Sequence, residues 1–200
     1  FKNFGTQLSF KHNFAKTGHD INADLNYNGS DNNSIANFVT NTFTPDDNPK
    51  FRPLQQKTLG VGYNRFTTFQ LDYENPIKEN TKFEAGARVA IRNFRNENSQ
   101  FFYNESVGDF VPIPSISNNY SYDDKVYAAY SNYSLKGKKW NYQLGLRIES
   151  SDYKGKLIGK DSLFNVNFPI SIFPSAFITY RVTDKQDLQV NFSRRINRPN

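Results

Sequence analysis

The 200-residue sequence contains no cysteine and no long apolar run. Without cysteine there is no disulfide framework, no thiolate metal site and no cysteine nucleophile. No uninterrupted apolar stretch approaches the ~20 residues that a transmembrane helix requires, and the mean hydropathy is −0.74. These absences exclude a disulfide-stapled scaffold and a helical membrane protein.

Aromatic residues, by contrast, are abundant: 19 Phe and 12 Tyr contribute to an aromatic fraction of 16%. A disordered chain is poor in aromatics. Low mean hydropathy together with many aromatics is typical of a transmembrane β-barrel, because half of each strand faces water. The net charge of +6 comes from residues spread along the chain, which argues against a nucleic-acid partner.

The stretch from Trp140 to Glu149 alternates strictly between apolar and polar residues. Such alternation is the period of a β-strand with one apolar face and one wet face. The wet face carries Arg147 and Glu149, as a water-filled lumen allows. The alternation predicts five lipid-facing side chains: Trp140, Tyr142, Leu144, Leu146 and Ile148.

The same alternation in other stretches predicts a second set of side chains that face the lumen. Charges of both signs on neighbouring strands pair across a barrel wall or hold a plug by polar contacts. The predicted lumen-facing residues are Gln70, Asp72, Glu84, Arg88, Arg92, Gln143, Arg147, Glu149, Gln189, Asn191 and Arg195.

About eight such stretches follow one another, joined alternately by short turns and long polar segments. The long segments cover about 29–56, 95–118 and 152–167. Short turns inside the periplasm and long loops outside are typical of outer-membrane barrels. The sequence therefore predicts an all-β fold, an antiparallel up-and-down transmembrane β-barrel. The outward face of the stretch 119–135 stays unassigned, because apolar residues fall on both parities there.

Aromatic residues collect beside the short turns. Amphipathic rings at this level of a barrel form a girdle among the lipid headgroups. The predicted girdle residues are Phe14, Tyr73, Phe83, Tyr133, Trp140 and Tyr180.

The direction of the strands places both ends of the sequence on the extracellular side. A self-contained barrel normally has its termini in the periplasm, so eight strands are expected to be a section of a larger barrel. Residues 1–200 are accordingly interpreted as one partial outer-membrane β-barrel domain that lacks a plug domain and the barrel ends.

Several short motifs occur in a fixed order along residues 66–199. They are Asp72-Tyr73-Glu74-Asn75-Pro76, Glu84-Ala85-Gly86, Tyr127-Ala128-Ala129-Tyr130, Gly145-Leu146-Arg147-Ile148-Glu149, Phe173-Pro174-Ser175 and Arg195-Ile196-Asn197-Arg198-Pro199. In order and spacing they resemble the C-terminal barrel region of TonB-dependent-receptor-like outer-membrane proteins of the Bacteroidetes type.

The resemblance implies a barrel of about 22 strands in the outer membrane of a Gram-negative bacterium. In that family a plug domain closes the barrel, and TonB with ExbB–ExbD moves the plug to admit a scarce ligand. Siderophores, glycans, peptides and vitamins all remain open as the ligand class. Outer-membrane lipid is the expected surrounding, and a surface lipoprotein is a candidate partner for the loops.

Two rival functions stay open at this point. One is a barrel that transports nothing and binds a partner through its loops. The other is a soluble β-sandwich that binds carbohydrate through its aromatic residues.

Catalysis and metal binding find little support in the sequence. His12 and His19 lack the Glu spacing of a zinc site, so we predict no enzyme activity, no cofactor and no metal. The paired acids Asp46-Asp47 and Asp123-Asp124 are interpreted as loop solvation rather than calcium ligands, because further ligands at defined spacing are missing.

Overall fold

The fold is one antiparallel sheet. The structure is a computed structural model that describes residues 1–159 and 162–195. The strands of this part of the chain are β1 (Lys2–Asn13), β2 (Asp20–Thr40), β3 (Leu54–Lys78), β4 (Thr81–Asn104), β5 (Asp109–Pro112), β6 (Asn118–Lys136), β7 (Trp140–Leu157), β8 (Ser162–Thr183) and β9 (Gln186–Ser193). Their order in the sheet is their order in the sequence, with the short β5 beside that path on the end of β4.

The all-β, antiparallel, up-and-down prediction is confirmed. The sandwich rival fails, because a sandwich needs two sheets packed face to face and the described strands form one sheet. That sheet is open, with β1 and β9 as its edges. The described residues include no helix of the length and apolarity needed to cross a membrane.

Much of the sequence predicted as long loops is strand. β2 continues to Thr40 and β3 begins at Leu54, so the segment 29–56 leaves only residues 41–53 between strands. Likewise β4 runs to Asn104 and β7 to Leu157. The prediction was wrong because polar residues interrupt the apolar ones on both faces of these strand ends, and a strand without apolar alternation cannot be distinguished from a loop by its pattern. The strand count accordingly rises from eight to nine, through the addition of β5.

The short turns predicted at the opposite end are confirmed. Two residues separate β3 from β4 and two separate β8 from β9. Six residues join β1 to β2, and among them Gly18 has a φ of 75°. That left-handed conformation is readily available to glycine.

The sheet curls around one of its faces. Six residues other than glycine are buried in the described part of the chain, and five of them share a face by strand register. These five are Asp124, Ala128, Glu149, Ser151 and Tyr153. Burial on one side of a single sheet requires curvature towards that side, so we name this the concave face and the opposite one the convex face.

A bulge at Pro169 and Ile170 in β8 changes which way the start of that strand faces. Between Glu149 and Ser151 the partner strand advances by three residues, from Ser171 to Phe168. Proline is tolerated in a strand at such a bulge. Because side chains alternate with a period of two, the extra residue transfers Phe168 and the residues before it to the concave face.

Candidate functional site

Strand register collects the predicted lumen-facing residues on the concave face. Gln70 lies opposite Arg88, which lies opposite Ala128, which lies opposite Glu149. The neighbouring rows bring Asp72, Glu84, Arg92, Gln143, Arg147, Gln189 and Asn191 to the same face. Arg195 follows the end of β9 at Ser193 and has no place in the ladder. The motif residues 196–199 lie outside the described part of the chain.

The five residues predicted to face lipid share the convex face. Their direct partners on β8 are Tyr180, Ile178, Ala176, Pro174 and Ile172. On the convex face, the residues of β7 between Trp140 and Ser150 and their cross-strand partners in β3–β8 are mostly apolar. We call this set of residues the apolar band. Beyond Ser150 the same face of β7 carries Asp152, Lys154 and Lys156. The band is therefore about as long as the 9–11 residues that a tilted strand needs to cross a bilayer.

Aromatic rings border the apolar band at the short-turn end of the sheet. Trp140 and Tyr180 are direct partners whose ring centroids lie 4.5 Å apart, and Phe83 lies opposite Tyr133. The convex face of the short-turn end thus carries the arrangement expected of a membrane girdle.

The two histidines take part in a stack of rings at the first short turn. Phe14 lies 4.0 Å from the His19 ring and 4.7 Å from the His12 ring, measured between centroids. His19 Nε2 is 3.0 Å from the Tyr73 hydroxyl. Within the described residues no group of three His, Cys, Asp or Glu side chains is placed to hold a metal ion.

Two buried carboxylates anchor the charges of the concave face. Asp124 is 7% exposed and Glu149 4%. The Arg92 guanidinium donates to Asp124 Oδ2 from Nε at 2.8 Å, with its second nitrogen at 2.6 Å. Arg147 Nε donates to Glu149 Oε2 at 3.0 Å, and a second guanidinium nitrogen lies at the same distance from that oxygen. Asp124 is thus a buried partner of Arg92, which corrects its interpretation as loop solvation.

A polar cluster lies on the concave face nearer the short turns. The Tyr130 hydroxyl donates to Asp72, and Gln70 Nε2 donates to Asp72 Oδ2 at 2.8 Å. Charge-assisted hydrogen bonds of this kind fix side-chain geometry more firmly than neutral ones. Arg88 lies between this polar cluster and the Arg92–Asp124 pair, and its side chain is exposed.

Towards the long-loop end, the concave face becomes aromatic. The rings that the register places there are Phe66, Phe94, Tyr120, Tyr122, Tyr153, Phe164 and Phe168, which we call the aromatic basin. Phe94 and Tyr120 lie 5.5 Å apart between centroids, and the Arg92 guanidinium sits 5.4 Å from the Tyr122 ring centre. Burial, followed by the nearby Asp124 charge, raises the pKa of the Tyr122 phenol, so it remains a neutral donor.

The basin contains a cavity of about 350 Å³ beside Gly155. Tyr120, Tyr122, Leu157 and Phe164 line it on the concave side. Sequence reasoning missed this site, since it depends on strand ends that were interpreted as loops and on the bulge in β8.

One open, curled sheet with a lipid-length apolar band on its convex face and charges on its concave face defines a section of an outer-membrane β-barrel. The chain belongs to the outer membrane protein beta-barrel family, whose model matches residues 12–200. No curated protein sequence matches the chain significantly.

Solved structures share the fold. The unliganded ferric citrate transporter FecA matches 94% of the chain at 14% identity and a TM-score of 0.59. The siderophore receptor PiuA from Acinetobacter baumannii matches 96% at 11% identity and a TM-score of 0.62. P. aeruginosa FpvA, bound to a heterologous pyoverdine, matches 94% at 14% identity and a TM-score of 0.57. The chain spans 26%, 32% and 26% of these proteins respectively.

Proposed function

We propose that the chain is part of the barrel wall of a TonB-dependent outer-membrane receptor of the Bacteroidetes type, which imports a scarce ligand. The proposal rests on the strand register, which puts apolar residues on one face of the sheet and charged residues on the other. The apolar band on the convex face suits outer-membrane lipid. The concave face, with its buried carboxylates and paired arginines, suits a wet lumen.

In this proposal Trp140, Tyr142, Leu144, Leu146 and Ile148 face lipid, and the ten concave residues of the predicted set face the lumen. Exposed Arg88 would meet a plug or a ligand, whereas Arg92 and Arg147 already have carboxylate partners. In each pair the carboxylate is buried and the arginine is partly exposed, and charge-assisted hydrogen bonds of this kind fix side-chain geometry. They would hold the wall in shape as a plug moves past it.

The remaining parts lie outside these residues. The whole barrel would have about 22 strands, and TonB with ExbB–ExbD would act on its plug in a Gram-negative cell. The matched solved structures are transporters and receptors rather than enzymes, so no catalytic step is proposed. A surface lipoprotein would meet the loop 41–53, where Phe43 and Phe51 are exposed.

The proposal is tested first by the location and size of the protein. An antibody against residues 41–53 would be applied to fractionated source membranes, with heated and unheated samples side by side. We expect a band in the outer-membrane fraction that is several-fold heavier than 23.1 kDa and shifts on heating. A band near that mass, or one in the soluble fraction, contradicts the proposal.

Transport is tested by depletion of the growth medium. Wild-type cells, cells lacking the gene and cells lacking TonB would be grown in one complex medium, and its residual components compared by mass spectrometry. At least one compound should be consumed by wild-type cells alone. Equal consumption by all three strains favours the rival function, a barrel that binds a partner without importing anything.

A further inference from the structure

The aromatic basin has the shape of a small binding site. Its cavity of about 350 Å³ falls at the small end of the 300–1,000 Å³ typical of ligand pockets. The strand register sets Phe164 directly opposite Gly155, with Tyr122 opposite Gly155 on the other side. The two rings thus flank a position that has no side chain.

Gly155 leaves real space between those rings. A methyl group added there would come no closer than 3.7 Å to Phe164 and 3.8 Å to Tyr122. Phe164 and Tyr120 remain exposed, so their ring faces are available to a ligand. Phe164 reaches this position only because the bulge in β8 transfers it to the concave face.

The side chains directed into the cavity carry no net charge to attract an ion. On the concave side the lining consists of Tyr120, Tyr122, Gly155, Leu157, Ser162 and Phe164. Ser121 and Lys156 also border the cavity but belong to the convex face by register. The nearest concave charges, Arg92 and Asp124, neutralise each other.

Hydroxyl groups supply the polar contacts of the basin. Tyr120, Tyr122 and Ser162 each bring one to the lining. Tyr153, next along the concave side of β7, is 5% exposed, and its Oη has no hydrogen-bond partner among the described residues. A buried hydroxyl without a partner is costly in a packed protein, but Tyr153 does not line the cavity, so the polar contacts of a ligand would come from Tyr120, Tyr122 and Ser162.

We propose that the aromatic basin binds an uncharged sugar ring. A pyranose offers an apolar C–H face for Phe164 and Tyr120 and hydroxyl groups for the phenols and Ser162, whereas a charged ligand would find no compensating charge. This inference rests on the proposed function, because it takes the concave face to be the lumen wall.

The test measures binding of neutral trisaccharides to the full-length protein in detergent. The probes are maltotriose, cellotriose, mannotriose and xylotriose, with trigalacturonate as a charged comparison, and the readout is isothermal titration calorimetry. We expect at least one neutral probe to bind. Tyr120→Ala and Phe164→Ala should each weaken it about tenfold, the typical loss for one stacked aromatic ring.

Two convex residues serve as matched controls. Tyr63→Ala removes a ring that is 39% exposed, against 38% for Tyr120, and Leu163→Ala alters the immediate neighbour of Phe164. Both variants should bind the sugar as the wild type does. Binding that is equally weak in the controls, binding of trigalacturonate alone, or no binding to any neutral probe would overturn the proposal.

The medium-depletion experiment separates this inference from the proposed function. If no neutral sugar binds but wild-type cells still consume a compound that both the gene-lacking and the TonB-lacking strains leave, the receptor function stands and the sugar site is wrong. If sugar binds and no strain differs in consumption, the basin is a binding site of a barrel that does not transport.

Discussion

Arg92 and Asp124 face each other directly across β4 and β6, and two nitrogens of the guanidinium contact a single carboxylate oxygen. The same guanidinium lies over the Tyr122 ring. One side chain therefore connects the charged part of the concave face to the aromatic basin.

Arg92→Leu is expected to destabilise the folded protein by about 1–3 kcal/mol, because it leaves the buried Asp124 carboxylate without its partner. The arginine is itself 38% exposed, so we expect less than the cost of breaking a fully buried pair. Urea titration of the protein folded in lipid vesicles measures the change.

Arg95→Leu is the control for this prediction, since its ion pair with Glu97 is exposed on both sides. Exposed pairs contribute about 0–1 kcal/mol. Equal destabilisation by the two variants would mean that burial of Asp124 does not matter.

Leu144→Arg and Gln143→Arg test which face meets lipid. Leu144 lies near the middle of the apolar band, so an arginine there should destabilise the barrel by ~2–4 kcal/mol, as measured at the bilayer midplane of other barrels. Gln143, on the concave face, should accept arginine with a much smaller change. Folding titrations in lipid measure both, and equal effects would show that the faces are assigned wrongly.

Gly86→Ala is expected to disturb the wall where glycine permits a close approach. A methyl group at Gly86 would lie 2.5 Å from the Tyr130 ring and 2.6 Å from the Leu71 carbonyl oxygen. Overpacking of this kind typically costs about 1–3 kcal/mol, and it would displace Tyr130 from Asp72.

Gly155→Ala is the matched control for Gly86→Ala, because its nearest neighbours lie at ordinary contact distance. Thermal unfolding in detergent compares the two variants. A loss of stability at Gly155 as large as that at Gly86 would contradict the packing described for the basin.

Deletion of Ile170 should be tolerated. It removes the extra residue of the bulge and leaves the pairs Glu149–Ser171 and Ser151–Phe168 two residues apart on both strands. Deletion of Thr179, which lies in a regular part of the ladder, should prevent folding, because a slip of one residue exchanges the two faces of the strand. Heat-dependent migration in gels reports folding, and failure of both variants alike would show that the bulge is not a register device.

The sequence was sufficient to assign residues to the two faces of a strand wherever one face is apolar. Leu144 and Gln143 fall on opposite parities, and the structure sets them on opposite faces. The ends of β2, β3 and β4 at the long loops escaped recognition in part because polar and apolar residues are mixed on both of their faces, so no clean alternation marks them. The sequence also did not predict the face on which Phe168 lies, because one extra residue in β8 reverses the alternation of the residues before it.

Partners across strands depend on register, which a single sequence does not reveal. The predicted lumen charges were expected to pair across the wall or to hold a plug, whereas Arg147 binds Glu149 two residues along its own strand. Asp124 was interpreted as a solvated loop residue and is instead buried opposite Arg92. In both cases the sequence shows that the residue is charged, but its partner becomes known only from the structure of the sheet.

β3 continues far beyond the apolar band, from Thr68 back to Leu54. At about 3.3 Å per residue, that segment extends roughly 50 Å along the strand. If the band spans the bilayer, the loop 41–53 stands well clear of the lipid headgroups and is held by paired strands rather than by flexible chain. The end of β4 at Asn104 reaches the same level as the start of β3. Antibodies and bacteriophages would therefore meet the loop 41–53 and the neighbouring β4–β5 connection first, and sequence variation between strains should be concentrated in these two segments.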